Sequence, residues 1–424
     1  MAQDKAVEDD DIDHVERAAG IDIGKASVMC CVRVPGARPW VGEYDTTKVA
    51  LTRLADDLLA AHVEVVVMEA TSDYWRPVFY RLEAHGLNVV LVNAKDFKHV
   101  PGRPKTDRLD SMWLARLAQK GMLRPSFVPP IEIRRIRALT RHRIDLVGEQ
   151  TRWKNRVEKL LEDACIKVSV VASDIFGVSG RAIMAALIRG ERDPKVMAEM
   201  AKGRLRIKMD QLVDALDGMF TTHHGFLLDN MLHSIDDLEH KITAVEAQLE
   251  VELGPYERQL DQLAQIPGVS RITAAGLIGE VGVNMAQFPT PKNLASWAKF
   301  APIANQSASK TKSGKKPKRP SYLAGILGQT ASCTKLTNTF LGDRYRRIRR
   351  RRGGKIAIIA TGRSIITAVW YLLANPQLNF HELGADYYAT THNTQRTRQT
   401  HIQALEHMGY TVTLTPTNQP SPTS

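Results

Sequence analysis

Four cysteines in 424 residues, Cys30, Cys31, Cys165 and Cys333, include no CxxC pair. That scarcity excludes a disulfide framework and a structural zinc finger, and it suits a reducing compartment. Uninterrupted apolar runs are also missing. The longest candidate, Ile356 to Ala374, is broken by Arg363 and by Gly and Thr residues, and it reads as a buried helix rather than a membrane span. The opening MAQDKAVEDDDIDHVE is acidic, has no apolar stretch and does not read as a secretory signal. With 43% hydrophobic and 25% charged residues the chain is close to the soluble average, so neither wholesale disorder nor membrane embedding fits. The length allows two or three domains.

Acid is nearly absent from one long stretch. Between Ala301 and Ala360 there are fifteen Lys or Arg against the single acid Asp343, so +14 sits there while the whole chain carries +12 and the remainder sums to −2. Charge concentrated in this way suits a polyanion, because each phosphate neutralised releases counterions. The basic residues form two groups. Lys310, Lys312, Lys315, Lys316, Lys318 and Arg319 lie in KTKSGKKPKR, and Arg344, Arg346, Arg347, Arg349 and Arg350 lie in RYRRIRRRR. We expect both groups to bind nucleic acid; a solvated basic loop is the plainer explanation.

Along the chain, residues 1–17 are acidic and expected to be disordered. Residues 18–130 alternate strand-like and helix-like segments. GIDIGKASVMCCVRV (20–34) predicts a hairpin around a Gly-Lys turn. EVVVMEA (64–70) and LNVVLVN (87–93) predict strands covered on both faces, and residues 48–61 and 74–85 predict helices between them. The expectation is an α/β domain with a mixed sheet. Residues 131–258 predict nearly all helix. Leu228, Met231, Ile235, Leu238, Ile242, Val245 and Leu249 form an a/d series, and a weaker series runs from Ile136 to Leu160, interrupted by Arg143 and Gln150. A long helical hairpin and an intermolecular coiled coil both satisfy this pattern. Residues 259–375 predict a mostly helical domain, entered at IPGVS (266–270) by a tight turn whose N–H groups suit a phosphate. Residues 376–424 are Thr-rich and expected to be loosely ordered apart from a short helix near 401–407.

Four carboxylates stand out by position. Asp22 lies between Ile21 and Ile23 and so faces away from them in a strand. Glu69 ends the buried run VVVM, where an acid is costly unless paired or metal-bound. Asp107 and Asp110 open a predicted helix behind Thr106 as N-cap, three apart on one face. Each has an ordinary explanation alone. Together they can hold two Mg²⁺ ions roughly 4 Å apart, the arrangement that polarises a phosphodiester, and hard oxygen ligands favour Mg²⁺ or Mn²⁺ over zinc. Lys105 and Arg108, beside the pair, would then face phosphate.

These residues carry a resemblance. GIDIGK with Asp22, MEAT with Glu69 and KTDRLDS with Asp107 and Asp110 resemble the DEDD motif of the RuvC-like, RNase H-fold transposases of a bacterial insertion-sequence family, the bridge-RNA-guided serine recombinases. IPGVSRITAAGLIGEVG and NLASWAKFAPIANQSASKTKSGKKPKRPSYLAGILGQTA resemble that family's C-terminal transposase domain. The resemblance implies a RuvC-like catalytic domain over 18–130, a helical coiled-coil insertion, and a transposase domain over 259–375 with Ser307, in NQSASK, as nucleophile. It further implies a composite site of DEDD-bound Mg²⁺ and serine, a covalent phosphoserine intermediate, donor and target double-stranded DNA, and a non-coding bridge RNA. A homo-oligomer (dimer or tetramer) in the bacterial cytoplasm, at the nucleoid and without a membrane, completes the expectation. Ser309 stands where that family usually has Gly, and Lys299-Phe300 replaces its usual Gly-Leu. By chemistry alone Ser309 and Ser313 compete with Ser307, since any of them gains from the neighbouring lysines.

The first alternative is a metal-dependent nuclease or junction resolvase that uses water and forms no covalent intermediate. GIDIGKAS also resembles the phosphate hairpin of actin-like and sugar-kinase ATP binders, but the chain lacks the second glycine-rich loop and the adenosine motif. A non-catalytic RNA-binding scaffold is the third reading.

Overall fold

The computed structural model describes residues 14–70, 72–93, 106–301, 306–307, 310–311, 321–388 and 394–414. The chain divides into two compact units at Val128.

The first unit is a five-stranded mixed sheet. Its strands are β1 (Ala18–Ile23), β2 (Ser27–Arg33) and β3 (Trp40–Asp45), then β4 (Val65–Glu69) and β5 (Val89–Val92). The order is β3-β2-β1-β4-β5, with β1–β2 and β2–β3 antiparallel and β1–β4 and β4–β5 parallel. The antiparallel half needs only tight turns, and Gly24 closes the first by donating its N–H to the Ser27 carbonyl at 2.9 Å. The parallel half needs crossover helices, supplied by α1 (Lys48–Ala60) and α2 (Trp75–Ala84). A further helix, α3 (Asp107–Gln119), follows β5. Strand pleating sorts the side chains by face. Ala19, Ile21, Ile23, Val66 and Met68 pack with Leu54, Leu58, Val78 and Leu82 of α1 and α2. Ala18, Val65 and Val67 pack on the opposite face with Leu114, Leu117 and Ala118 of α3. The hairpin, both buried strands and both helices predicted for this region are present. The edge strand β3 is not among the expectations; of its residues only Tyr44 is buried, so it carries little hydrophobic pattern.

Among its described residues, the regular structure of the second unit is helical apart from one two-rung ladder. Its longest members are α4 (Ile131–Asp163) and a helix at Thr222–Leu253. Four short helices, α5 to α8 (Val168–Val171, Val178–Ile188, Pro194–Ala198 and Met209–Leu216), lie between them in sequence and make the long one α9. The pairings Arg135–Glu252, Arg143–Glu246 and Asp163–His224 run in opposite sequence directions, so α4 and α9 form an antiparallel hairpin within one chain. The heptad residues Leu228, Ile235, Leu238, Ile242 and Leu249 are buried. Of the two arrangements the heptads allowed, the hairpin is therefore the one present. Arg143 and Gln150 interrupt the apolar stripe because they bond across it to Glu246 and Glu239.

The remaining helices are α10 (Glu257–Ala264), α11 (Arg271–Val281) and α12 (Pro291–Trp297), then α13 (Ser321–Thr334), α14 (Phe340–Arg352) and α15 (Gly354–Ala374). Two arginines of α4 clamp the end of α11. Arg137 donates to the carbonyls of Gly279 and Glu280 at 2.7 and 2.8 Å, satisfying acceptors that every helix C-terminus leaves open. Arg141 holds the buried Glu280 carboxylate with two bonds, at 2.7 and 2.9 Å. The apolar helix α15 is long enough to cross a bilayer by length and composition. Here Ala357, Ile365, Ile366, Val369 and Leu372 are buried and α10, α12, α13 and α14 pack against it, as the sequence predicts for a core helix. A helix at Thr394–His407 gives the Thr-rich region more order than expected.

Candidate active site

Strand alternation brings the acids together. On β1, Ala18, Gly20 and Asp22 share the face toward α3; on β4, Val65, Val67 and Glu69 share the same face. The parallel register pairs Ile21 with Met68, so Asp22 and Glu69 are one step further along adjacent strands, at their C-terminal ends. The third element is α3. Thr106 caps it, accepting from the Leu109 N–H at 3.3 Å, and Asp107 and Asp110 occupy the first turn, where the helix dipole favours negative charge. Gly20 lets α3 approach the sheet closely: a Cβ there would stand 2.3 Å from the Ala115 nitrogen and from the Ser111 carbonyl oxygen.

The result is electrostatic convergence. The carboxyl of Asp22 is half-buried and hydrogen-bonded to that of Asp107. Burial first, then the charges of Asp107 and Glu69, push its pKa up to about 6, against a smaller downward pull from the Ile23 backbone N–H. Like charges this close disfavour joint ionisation. A cation among them would relieve that repulsion, and an all-carboxylate oxygen set suits a hard divalent ion; the donor chemistry fits Mg²⁺ or Mn²⁺. Among the described residues, no three Asp, Glu, His or Cys side chains are drawn into a metal cage.

The predicted site residues thus divide. Asp22, Glu69 and Asp107 come together. Asp110 lies one turn along α3 and is half-buried, and Arg108 is exposed on the same turn. Ser307 lies on the two-residue strand β6 (Gln306–Ser307), whose backbone pairs with β7 (Lys310–Thr311) so that Ser307 stands across from Lys310. Lys105, Ser309, Lys312, Ser313, Lys315, Lys316, Lys318 and Arg319 lie outside the described residues.

Two positions depart from expectation, and the structure accounts for one of them. Lys299, which stands where the resemblance expects a glycine, has a left-handed φ of 60°. Phe300, beside it, fits because Gly362 of α15 leaves room: a Cβ on Gly362 would lie 2.7 Å from the Phe300 ring. At the turn predicted to seat a phosphate, Ser270 uses its hydroxyl to cap α11, accepting from Thr273 N–H at 3.3 Å, and Arg271 is held by Glu250 and Glu257. That helix start opens on a cavity of about 650 Å³ bordered by α4 and α13. Gly20 is not singled out by the sequence pattern, although glycine inside a strand is a signal for close backbone approach.

Comparison with known proteins gives two family matches and two relatives. Residues 19–166 match the family model for DEDD transposases of the IS110 type, described as Transposase. Residues 260–346 match the model described as Transposase IS116/IS110/IS902 family. The chain is 24% identical over 293 residues to the transposase for insertion sequence element IS1111A of Coxiella burnetii (strain RSA 493 / Nine Mile phase I), covering 69% of this chain and 70% of that protein. It is 23% identical over 256 residues to the insertion element IS116 uncharacterized 44.8 kDa protein of Streptomyces clavuligerus, covering 56% of this chain and 64% of that protein.

Proposed function

We propose, from the premise that this chain is a transposase of the IS110/IS116 family, that it cuts and exchanges strands of donor and target DNA with the carboxylates of its first unit and a serine of its second. The observation that carries this reading is the convergence of Asp22, Glu69 and Asp107 on one face, at the ends of β1 and β4 and the start of α3.

Asp22, Glu69, Asp107 and Asp110 are the residues that would hold Mg²⁺ or Mn²⁺. Such an ion supplies Lewis-acid polarisation of a phosphodiester and neutralises its developing charge. The protein's own contribution is to fix the oxygens: β1 and β4 set two by register, and the capped turn of α3 sets the others.

Ser307 is the proposed nucleophile. Its hydroxyl gives up a proton and bonds to phosphorus as one DNA P–O bond breaks, and the departing DNA oxygen takes a proton. The serine ester keeps the bond energy until a hydroxyl of the exchanged strand displaces it. Lys310, Lys312, Lys315 and Lys316, close in sequence, are the cations that would favour the serine alkoxide. Exchange of two duplexes needs several such cuts, so the active form is a homo-oligomer, a dimer or tetramer. A structured bridge RNA from the element itself is the proposed guide, on the strength of the family resemblance.

The test uses purified chain with donor and target DNA and the RNA. Asp22→Asn should abolish cleavage. Ser307→Ala should abolish both recombination and any covalent protein–DNA adduct on a denaturing gel, whereas Ser309→Ala should retain both. Full recombination by Ser307→Ala would leave the water-dependent nuclease reading in its place.

A further inference from the structure

The arginines of α14 fall into two groups with different partners. The first group is engaged within the chain. Arg344 donates to the Tyr388 hydroxyl at 2.8 Å, and Arg346 donates to the carbonyls of Lys335 and Thr337 at 3.2 and 2.9 Å. The Arg347 guanidinium lies over the Tyr388 ring, 4.1 Å from its centroid. Tyr388 in turn stacks on Phe340, with centroids 5.2 Å apart and planes 20° from parallel. Its aromatic ring is thus held between Phe340 at the start of α14 and the Arg347 cation about two turns further on.

Tyr388 lies on a strap that follows α15 from Asn375. Gln262 of α10 donates to the carbonyls of Pro376 and Leu378 at 2.8 and 2.9 Å. The Phe380 N–H donates to Gln265 at 2.8 Å. Glu382 accepts from the Phe340 N–H at 2.6 Å, placing a carboxylate on the open N–H groups of the α14 start. Both the strap and the end of α14 lie beyond residue 346, where the second family match stops.

The second group is turned outward. Arg349, Arg350, Arg351 and Arg352 are all exposed, and Lys355 follows across the Gly353 turn, whose φ is 83°. Among the described residues these five cations have no hydrogen-bond or ion-pair partner, and no acid lies between Asp343 and Glu382 in sequence. Five like charges at one corner repel one another. The helix dipole, worth up to about 1 kcal/mol at an exposed end, offsets only part of this, so a polyanion is the natural complement.

We propose that the corner formed by Arg349 to Arg352 and Lys355 seats the phosphate backbone of duplex DNA, and that the strap carrying Tyr388 is a positioning device that aims it. The choice of DNA rests on the transposase reading above; the positive seat rests on the structure alone.

The experiment titrates a fluorescent duplex DNA of arbitrary sequence with the full chain over a range of salt. Replacing Arg349, Arg350, Arg351 and Arg352 by Gln should reduce the slope of log affinity against log salt by about 3 to 4, near one for each phosphate left without its cation. Because these side chains are exposed and repel one another, melting temperature should not fall; should the fourfold variant fail to fold, Arg350→Gln with Arg351→Gln should cut the slope by about 2. Tyr388→Ala keeps every arginine yet should lower affinity about tenfold, while Tyr388→Phe, which keeps the stacking on Phe340 and Arg347, should rescue most of it. An unchanged slope in the arginine variants overturns the seat. Wild-type affinity in Tyr388→Ala overturns the strap's role, and tighter binding of duplex RNA than of duplex DNA overturns the occupant. Cleavage lost in Asp22→Asn is scored separately, so failure of the seat and failure of the transposase chemistry give different results.

Discussion

A Cβ on Gly20 would lie 2.3 Å from the backbone nitrogen of Ala115, so β1 and α3 meet backbone against backbone. That contact sets how close the first turn of α3 comes to the end of β1. Two residues along the strand from Gly20 is Asp22, and two turns back along the helix from Ala115 is Asp107, its hydrogen-bond partner.

Gly20→Ala is therefore expected to push α3 outward. Overpacking at such a contact typically costs about 1 to 3 kcal/mol. The more specific consequence is electrostatic: with Asp107 withdrawn, the pKa of Asp22 should move down from about 6 toward its ordinary range. Carboxyl carbon NMR titration of wild type and variant measures this, and an unmoved Asp22 would show that the close contact does not hold the pair together.

The same raised pKa fixes a pH dependence of stability. Asp22 keeps its proton to about pH 6 in the folded chain but releases it near 3.8 when unfolded. The folded state thus binds more protons between those values, and the metal-free protein should lose stability as pH rises through that window, with no further loss from this group above it. Allowing for solvent screening of a half-exposed carboxyl, the loss is about 1 to 2 kcal/mol. Asp22→Asn should flatten that part of the melting-temperature profile, and millimolar Mg²⁺ should raise the wild type but not the variant near neutral pH. Identical profiles for the two proteins would remove Asp22 as the source.

Lys299 sits at a left-handed φ of 60°, where a side chain costs about 1 to 2 kcal/mol. Lys299→Gly should stabilise the second unit by about 0.5 to 1 kcal/mol after the added flexibility of glycine is subtracted. Gly362→Ala should destabilise through its clash with Phe300, and the loss should shrink in a Phe300→Leu background. Additive effects in a thermal-unfolding double-mutant cycle would contradict the contact.

Glu280 is 2% exposed, and its side chain is bonded by Arg141 alone among the described residues. Arg141→Met should cost about 3 kcal/mol because it leaves a buried carboxylate without its cation. Arg141→Met with Glu280→Leu should recover most of that loss in denaturant titration, since an apolar pair of similar volume needs no desolvation of charge.

Much of this was legible in the chain. Val65 to Met68 are continuously apolar because both faces of β4 are covered, and residues 48–60 and 75–84 carry a helical stripe because each buries one side only. Asp22 and Glu69 were recognisable because an acid inside or ending an apolar strand is costly, whereas Asp107 sits at a capped helix start that favours it and stood out only through its place beside the other acids. Less legible were the roles of the arginines in α14. Arg344, Arg346 and Arg347 share composition and neighbourhood with Arg349 and Arg350, yet Tyr388 and the carbonyls of Lys335 and Thr337 claim the first three. Those partners lie up to 44 residues away, and no local pattern encodes them.

The order of residues by itself determined the buried strands, the helices of the first unit, their caps and which side chains face which way, because these follow from periodicities of two and 3.6 and from bonds between near neighbours. Tertiary structure alone decided that the heptads of α9 close on α4 of the same chain, and that a glycine in β1 admits α3 closely enough to couple Asp22 with Asp107. It also decided which arginines of α14 stay outward. Each of those outcomes depends on surfaces brought together from distant parts of the chain, where packing and charge choose among arrangements that local sequence leaves equally open.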